Sequence, residues 1–112
     1  MPFIDVKTNV KVSDEKKEAI KCKLGEVINI LPGKTEKWLM VGINDDYDLW
    51  FMGDKFPAAM VEVKTYGNDA TGTEELTGEI CNLIYSELSI EMGRIYVSYF
   101  GTQTWGWNGH NF

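Results

Sequence analysis

Two helical stripes, each flanked by strand-like runs, constrain this chain more than any other feature of its sequence. The first stripe follows Ser13, a favoured N-cap residue, and ends at Pro32-Gly33; its apolar members are Ile20, Leu24, Val27, Ile28 and Leu31. The second follows Thr73 and predicts a helix over about 73–89; its apolar members are Leu76, Ile80, Leu83, Ile84 and Leu88. Each segment begins with two acidic residues, where the helix dipole favours negative charge.

Strand-like runs rich in β-branched and aromatic residues surround the two stripes. They are Pro2–Thr8, Trp38–Ile43, Ala58–Tyr66 and Ile95–Phe100, with an extra edge strand predicted at Leu49–Met52. The order is therefore strand, helix, strand, repeated once. Right-handed crossovers place both helices on one face, so we predict a single α+β domain over residues 1–112: two βαβ halves forming a four-stranded mixed sheet.

The far face of that sheet would have no helix over it. Apolar and aromatic side chains of Trp38–Ile43 and Ile95–Phe100 would lie there, which favours self-association. The alternative is a half-polar face in contact with water.

Charge and hydropathy argue against several kinds of partner and several cellular locations. Eleven Lys and Arg residues against seventeen Asp and Glu give a net charge of −6, which argues against a nucleic acid or an anionic membrane as partner. No apolar run approaches the ~18 residues that a membrane span needs. The first residues show no secretory signal, so we expect a cytoplasmic protein, or one secreted without a signal peptide.

Few residues outside the N-terminus suggest chemistry. We expect Cys22 and Cys81 to be small buried side chains of the two helices, and His110 to lie on the surface. The Asp45-Asp46-Tyr47-Asp48 cluster reads as a solvated loop. No nucleotide-binding or zinc motif is present, so we expect no cofactor and no metal.

Pro2 is the exception. Removal of Met1 would leave a secondary amine at the start of a strand, and free α-amino groups titrate at about 7.7–8.0. Burial or a neighbouring cation lowers that pKa further, which makes such an amine a usable general base. If Met1 is retained, the Pro2 nitrogen is an amide and cannot act as a base.

Motifs at the start, middle and end of the chain resemble one known family. They are Met-Pro-Phe-Ile-Asp-Val-Lys-Thr-Asn at the start, Gly33-Lys34, Arg94-Ile95-Tyr96-Val97-Ser98-Tyr99, Gly106-Trp107-Asn108-Gly109 and Phe112. Their spacing matches throughout, apart from a one-residue shortening near Gly101–Thr104. On these residues the chain resembles the macrophage migration inhibitory factor family of the tautomerase superfamily.

The resemblance implies a homotrimer with active sites at subunit interfaces, which interconverts keto and enol forms of phenylpyruvate-like or dopachrome-like acids. Pro2 would be the base, Lys34 would bind the substrate carboxylate and lower the pKa of the amine, and Tyr96 would come from the adjacent subunit. The backbone of Tyr66 would help to bind substrate. The apolar walls would be Phe3, Trp38, Trp105, Trp107 and Phe112. Apart from the resemblance, we expect the aromatic side chains of Tyr99 and Phe100 to pack in the core.

Two departures from the family pattern matter. Ser98 stands where the vertebrate cytokine carries an asparagine that reaches a neighbouring subunit's pocket. The family's C-x-x-C site falls on Ala58-Ala59-Met60-Val61, so we expect no thiol-oxidoreductase activity.

Two other functions stay open at this point. One is a cytokine-like binding protein with a cell-surface receptor and little or no catalysis. The other is a relative that hydrates or dehalogenates small acids, but such members generally need additional arginine or carboxylate groups in the pocket, and Arg94 is the only arginine here.

Overall fold

The computed structural model describes all 112 residues. Six principal elements follow one another along the chain: β1 (Pro2–Thr8), α1 (Asp14–Val27), β2 (Met40–Asn44), β3 (Ala59–Tyr66), α2 (Thr73–Leu88) and β4 (Ile95–Thr102). A short hairpin of β5 (Gly106–Trp107) and β6 (His110–Asn111) ends the chain. None of the helices is long and apolar enough to cross a bilayer.

The four main strands form one mixed sheet in the order β2-β1-β3-β4. Strand β1 runs parallel to β2, and β3 runs parallel to β4, each pair being joined by one helix. The two halves meet along an antiparallel β1–β3 ladder, in which Pro2 lies opposite Thr65. The predicted pair of βαβ halves is therefore confirmed.

The core lies between the helices and one face of the sheet. The two helical stripes pack there against alternate residues of the central strands, and Ile4, Val6, Val61 and Val63 are fully buried. Helix α1 begins as predicted, because the Ser13 hydroxyl accepts a hydrogen bond from the Lys16 N–H at 3.2 Å. It ends at Val27, before the stripe does, because Ile28–Ile30 tighten into a 3₁₀ turn.

The opposite side of the sheet, here called the open face, carries no helix. Met40, Tyr96 and Phe100 lie on it and are largely exposed, as predicted for an uncovered face. The middle of this face is charged instead, because Lys7 pairs with Asp5 and Glu62. The face is thus apolar toward its edge strands and polar between them.

The structure corrects the strand prediction at Leu49–Met52. No strand forms there; a single bridge between Phe51 and Asp54 closes a two-residue turn. Met52 (φ 53°) and Gly53 (φ 80°) supply the left-handed backbone that this turn needs. Strand β2 also begins later than predicted, since Glu36–Trp38 form a 3₁₀ turn.

The acidic segment Asp45–Asp48 is a loop, as expected, but Asp45 is not free in it. Its carboxylate accepts a hydrogen bond from the Val12 N–H at 2.9 Å and pairs with Lys17 at 3.1 Å. These contacts fasten the end of β2 to the beginning of α1.

Candidate active site

Pro2 is buried at the beginning of β1, beside an open cavity of about 370 Å³. The cavity walls come from both ends of the chain and from the turn before β2. The residues lining them are Met1, Pro2, Phe3, Lys37, Trp38, Leu39, Met40, Trp105, Gly106 and Trp107. Pro2, Phe3, Trp38, Trp105 and Trp107 are thus brought together.

The backbone of Tyr66 connects Lys34 with the N-terminus. The Lys34 ammonium donates a hydrogen bond to the Tyr66 carbonyl at 3.2 Å, while the Tyr66 N–H donates to the Met1 carbonyl at 3.2 Å. Lys34 reaches this position because the chain turns at Gly33, whose φ of 75° suits glycine. Burial, and secondarily the charge of Lys34, lowers the pKa of the Met1 α-amino group.

An aromatic cluster extends the cavity wall. Trp107 packs edge-on against Trp38, with ring centroids 5.3 Å apart, and lies 6.5 Å from Phe112. Phe112 in turn packs on the Tyr66 ring at 5.4 Å. The β5–β6 hairpin holds this arrangement, and its turn residues Asn108 (φ 54°) and Gly109 (φ 89°) form the Asn-Gly turn typical of two-residue hairpins.

Phe3 forms another part of the wall. Its ring lies under the Lys64 ammonium, 5.9 Å from the ring centroid, and next to Gly42. A Cβ built at Gly42 would lie 3.4 Å from the Phe3 ring, in ordinary van der Waals contact with it.

Tyr96 and Ser98 lie elsewhere in the same chain. Pro2 is level with Thr65 and Gly101 across the sheet, whereas Tyr96 precedes Gly101 by five residues on β4. At ~3.3 Å per residue this separates Tyr96 from the level of Pro2 by roughly 17 Å along the strand. Ser98 Oγ is buried without a hydrogen-bond partner. One chain therefore does not bring these two side chains to the Pro2 cavity.

Predictions about four single residues can be compared with the structure. Cys22 is exposed on α1, so the prediction that it is buried is wrong; Cys81 is half-buried, and burial raises the pKa of its thiol. His110 is exposed, as predicted. Phe100 is not a core residue, because its position on β4 points it to the open face.

Tyr99, by contrast, packs against the core, as expected. Its hydroxyl donates to the Thr73 carbonyl at 2.8 Å and lies 2.8 Å from the Thr77 hydroxyl. Burial, with a smaller contribution from Cys81, raises the pKa of Tyr99, against the lowering effect of the Thr77 hydrogen bond.

Lys37, Leu39 and Met40 are wall residues that the sequence does not predict. Lys37 lies in the 3₁₀ turn Glu36–Trp38, outside the predicted strand Trp38–Ile43, and Met40 is the first residue of β2. No group of three or more His, Cys, Asp or Glu side chains is arranged to hold a metal ion.

A family model described as macrophage migration inhibitory factor (MIF) matches residues 1–112. The chain belongs to this family. It is therefore part of the tautomerase superfamily, and its MIF fold explains the pair of βαβ halves described above.

Solved MIF structures agree with this assignment. The chain is similar to MIF2 of Leishmania major, at 34% identity and a TM-score of 0.93, covering 100% of this chain and 97% of that one. A MIF homologue from Prochlorococcus marinus is 27% identical, with a TM-score of 0.86 and 98% coverage of both chains. A MIF-like protein of Entamoeba histolytica, at 22% identity, TM-score 0.84 and coverage of 99% and 98%, shares the fold. A comparison with curated proteins found no significant match.

Proposed function

We propose that this MIF-family protein is a homotrimeric keto–enol tautomerase of phenylpyruvate-like or dopachrome-like acids. Pro2, freed by removal of Met1, is its general base. The observation that carries the proposal is the position of Pro2, buried at the start of β1 beside an aromatic cavity, with the Lys34 ammonium held on the Tyr66 carbonyl next to the N-terminus.

The proton transfer needs only this chain's groups. The neutral Pro2 nitrogen takes a proton from the carbon next to the keto group, and the protonated Pro2 nitrogen then gives that proton to the enolate oxygen, which completes the enol and regenerates the neutral amine. Ketonisation runs the same steps in reverse. Lys34 serves as a fixed positive charge for the substrate carboxylate and keeps Pro2 neutral by repulsion of like charge.

Removal of Met1 supports substrate binding in a second way. The Tyr66 N–H now donates to the Met1 carbonyl, and loss of Met1 frees that donor on the residue whose carbonyl holds the Lys34 ammonium. A free N–H beside Lys34 suits a carboxylate or an enolate oxygen. In the proposed complex a bound substrate displaces water from between the Trp38, Trp105 and Trp107 walls of this open cavity, which strengthens both interactions.

Tyr96 and Ser98 complete the site from a neighbouring copy. Both lie on β4, away from the Pro2 cavity of their own chain, and the Ser98 hydroxyl has no partner within it. Assembly into a trimer supplies the exposed Tyr96 side chain to the next subunit's pocket, whereas the Ser98 hydroxyl, buried within its own chain, reaches that pocket only by changing its rotamer. Because serine is shorter than asparagine, substrate preference differs from that of the vertebrate cytokine.

The test is phenylpyruvate ketonisation by protein whose intact mass shows that it begins at Pro2. We expect turnover in this form and none in the form that retains Met1. Pro2→Gly should lower kcat/KM by about 10²- to 10⁴-fold, the usual contribution of a positioned base. Light scattering should give the same assembled mass for all three proteins.

Full activity in the Met1-retaining form would contradict the proposal. Absence of turnover in correctly processed trimer would also contradict it, and would favour the cytokine-like binding protein.

A further inference from the structure

The single arginine organises the loop between β2 and β3. Its Nε donates to the Pro57 carbonyl at 2.8 Å, and its Nη2 lies within hydrogen-bond distance of the Asp54 carboxylate (2.7 Å) and the Phe56 and Phe51 carbonyls (3.0 and 3.4 Å). Four acceptors of one short loop thus meet one guanidinium. The Arg94 side chain is 15% exposed; its bonds to Asp54 and the Phe51 carbonyl are partly buried, whereas those to the Pro57 and Phe56 carbonyls lie at the surface.

Phe51 links that guanidinium to Tyr96. The Arg94 guanidinium carbon lies 5.1 Å from the centroid of the Phe51 ring. The Phe51 and Tyr96 rings are 5.0 Å apart at an angle of 79°, which is the edge-on geometry that aromatic pairs prefer. Tyr96 otherwise stands open, with 60% of its surface exposed.

We infer that Arg94, acting through Phe51, is a positioning residue that holds the Tyr96 ring in the orientation from which it enters the neighbouring subunit's pocket. The inference rests on the proposed function, which places Tyr96 there. An exposed tyrosine on an edge strand has several rotamers. If the Tyr96 ring is already held in one of them, substrate binding does not carry the entropy cost of ordering it. The fixed Phe51 ring supplies that order.

The kinetic test uses a double-mutant cycle on Phe51 and Tyr96 in the processed protein. Phe51→Leu keeps an apolar side chain but removes the ring, and should raise KM for phenylpyruvate roughly threefold to tenfold while changing kcat less than about twofold. Phe51→Tyr restores a ring and should restore KM. In a Tyr96→Ala background, Phe51→Leu should have no further effect.

The Arg94→Lys variant tests whether Arg94 holds Phe51 in place. Lysine keeps the charge but lacks the planar fork that meets four acceptors, so it should raise KM as Phe51→Leu does. The matched control is Phe56→Leu, an aromatic side chain on the same loop that packs against no other ring and is 68% exposed. It should leave KM and kcat at their wild-type values.

An equal KM increase in the Tyr96→Ala background would overturn the inference, because a general loosening of the loop does not require Tyr96. So would an unchanged KM in Phe51→Leu.

A second readout separates this inference from the proposed function. In protein labelled with 3-fluorotyrosine, the Tyr96 resonance, assigned with Tyr96→Phe, should shift and broaden in Phe51→Leu and Arg94→Lys but not in Phe56→Leu. If the wild-type trimer has no turnover, the proposed function fails while this measurement still decides the positioning. An unchanged Tyr96 resonance would overturn it.

Discussion

At the scale of single residues, the position of Lys34 depends on contacts that are distant in sequence. Its ammonium is held by the carbonyl of Tyr66, thirty-two residues away, and approaches the N-terminus from there. The motif resemblance predicts the residue and its role, whereas its hydrogen-bond partner comes only from the fold. The same limit explains Cys22: it lies outside the apolar stripe of α1, yet was expected to be buried because of its residue type alone.

Lys34→Gln separates the charge of this side chain from its hydrogen bond. Glutamine can still donate to the Tyr66 carbonyl but carries no charge, so we expect kcat/KM to fall roughly 10- to 100-fold, the effect of losing a charged hydrogen bond to a carboxylate. Without the nearby cation the pKa of the Pro2 amine rises, because its protonated form is no longer repelled. Less free base is then present at low pH.

The acidic limb of the kcat/KM profile should therefore move to higher pH in Lys34→Gln. The matched control is Lys23→Gln, a change at an exposed helical lysine that pairs only with Glu26. An unshifted limb in Lys34→Gln would show that Lys34 does not set the amine's pKa.

At the scale of elements, the periodicity of apolar residues is sufficient to predict the long helices and strands but not the short segments. The two helices and four main strands are predicted because each buries a repeated apolar pattern against the same core. The run at Leu49–Met52 has strand composition, but its backbone groups are engaged by a tight turn and by Arg94 instead of a neighbouring strand. A four-residue window cannot distinguish the two.

The end of α2 offers a test of local backbone strain. Ser89 caps this helix in the left-handed region (φ 56°), and its N–H donates to the Tyr85 carbonyl at 2.9 Å. Glycine adopts this conformation without steric cost, so Ser89→Gly should raise the free energy of unfolding by about 0.5–1 kcal/mol. Ser86→Gly, within the helix, should lower it by about 0.5 kcal/mol.

Urea unfolding of both variants at one protein concentration measures the difference. Equal signs for the two changes would contradict this account of the cap.

The contacts of the Asp45 carboxylate with Val12 and Lys17 predict a pH-dependent contribution to stability. The hydrogen bond from Val12 and, next, the pairing with Lys17 lower the pKa of Asp45 below its ordinary value of 3.8. A carboxyl whose pKa is lowered on folding stabilises the fold above its unfolded pKa, and that stabilisation is lost as pH falls through the folded pKa. Asp45→Ala should therefore destabilise the protein more at pH 7 than at pH 2.

Chemical unfolding at the two pH values tests this. Asp48→Ala is the control, because Asp48 is exposed and pairs only with Lys55. A loss for Asp45→Ala that is the same at both pH values would mean that the ionised carboxylate is not what fastens β2 to α1.

At the scale of the whole molecule, exposed apolar side chains are unevenly distributed. Met40, Tyr96 and Phe100 lie on the open face, and Trp50 and Met52 on the β2–β3 loop, whereas the helices expose few large apolar groups. The uncovered face could be predicted from the element order. The contribution of the β2–β3 loop could not, because the composition of Leu49–Met52 predicts an edge strand there.

The uneven distribution of exposed apolar side chains predicts different oligomeric states for two comparable aromatic-to-glutamate substitutions. Trp50 (59% exposed) lies on the β2–β3 loop and Tyr85 (53% exposed) on α2. If the loop is covered in a trimer, Trp50→Glu places a charge in the interface, where burial costs several kcal/mol, and should shift the mass by light scattering to that of a monomer. Tyr85→Glu should remain trimeric.

Both variants should keep the far-UV circular dichroism of the wild type. A trimeric Trp50→Glu protein would place this part of the loop outside the interface.

The main-chain attachment of Lys34 has a consequence for how such a site can diverge. A carbonyl is present whatever side chain stands at position 66, so mutation there leaves the lysine's anchor in place while it reshapes the wall that Tyr66 shares with Phe112. In the proposed site, selection can thus change which acids fit the pocket without first rebuilding the charge that we propose receives their carboxylate. The Tyr66 side chain can therefore change while the Tyr66 carbonyl keeps Lys34 in place.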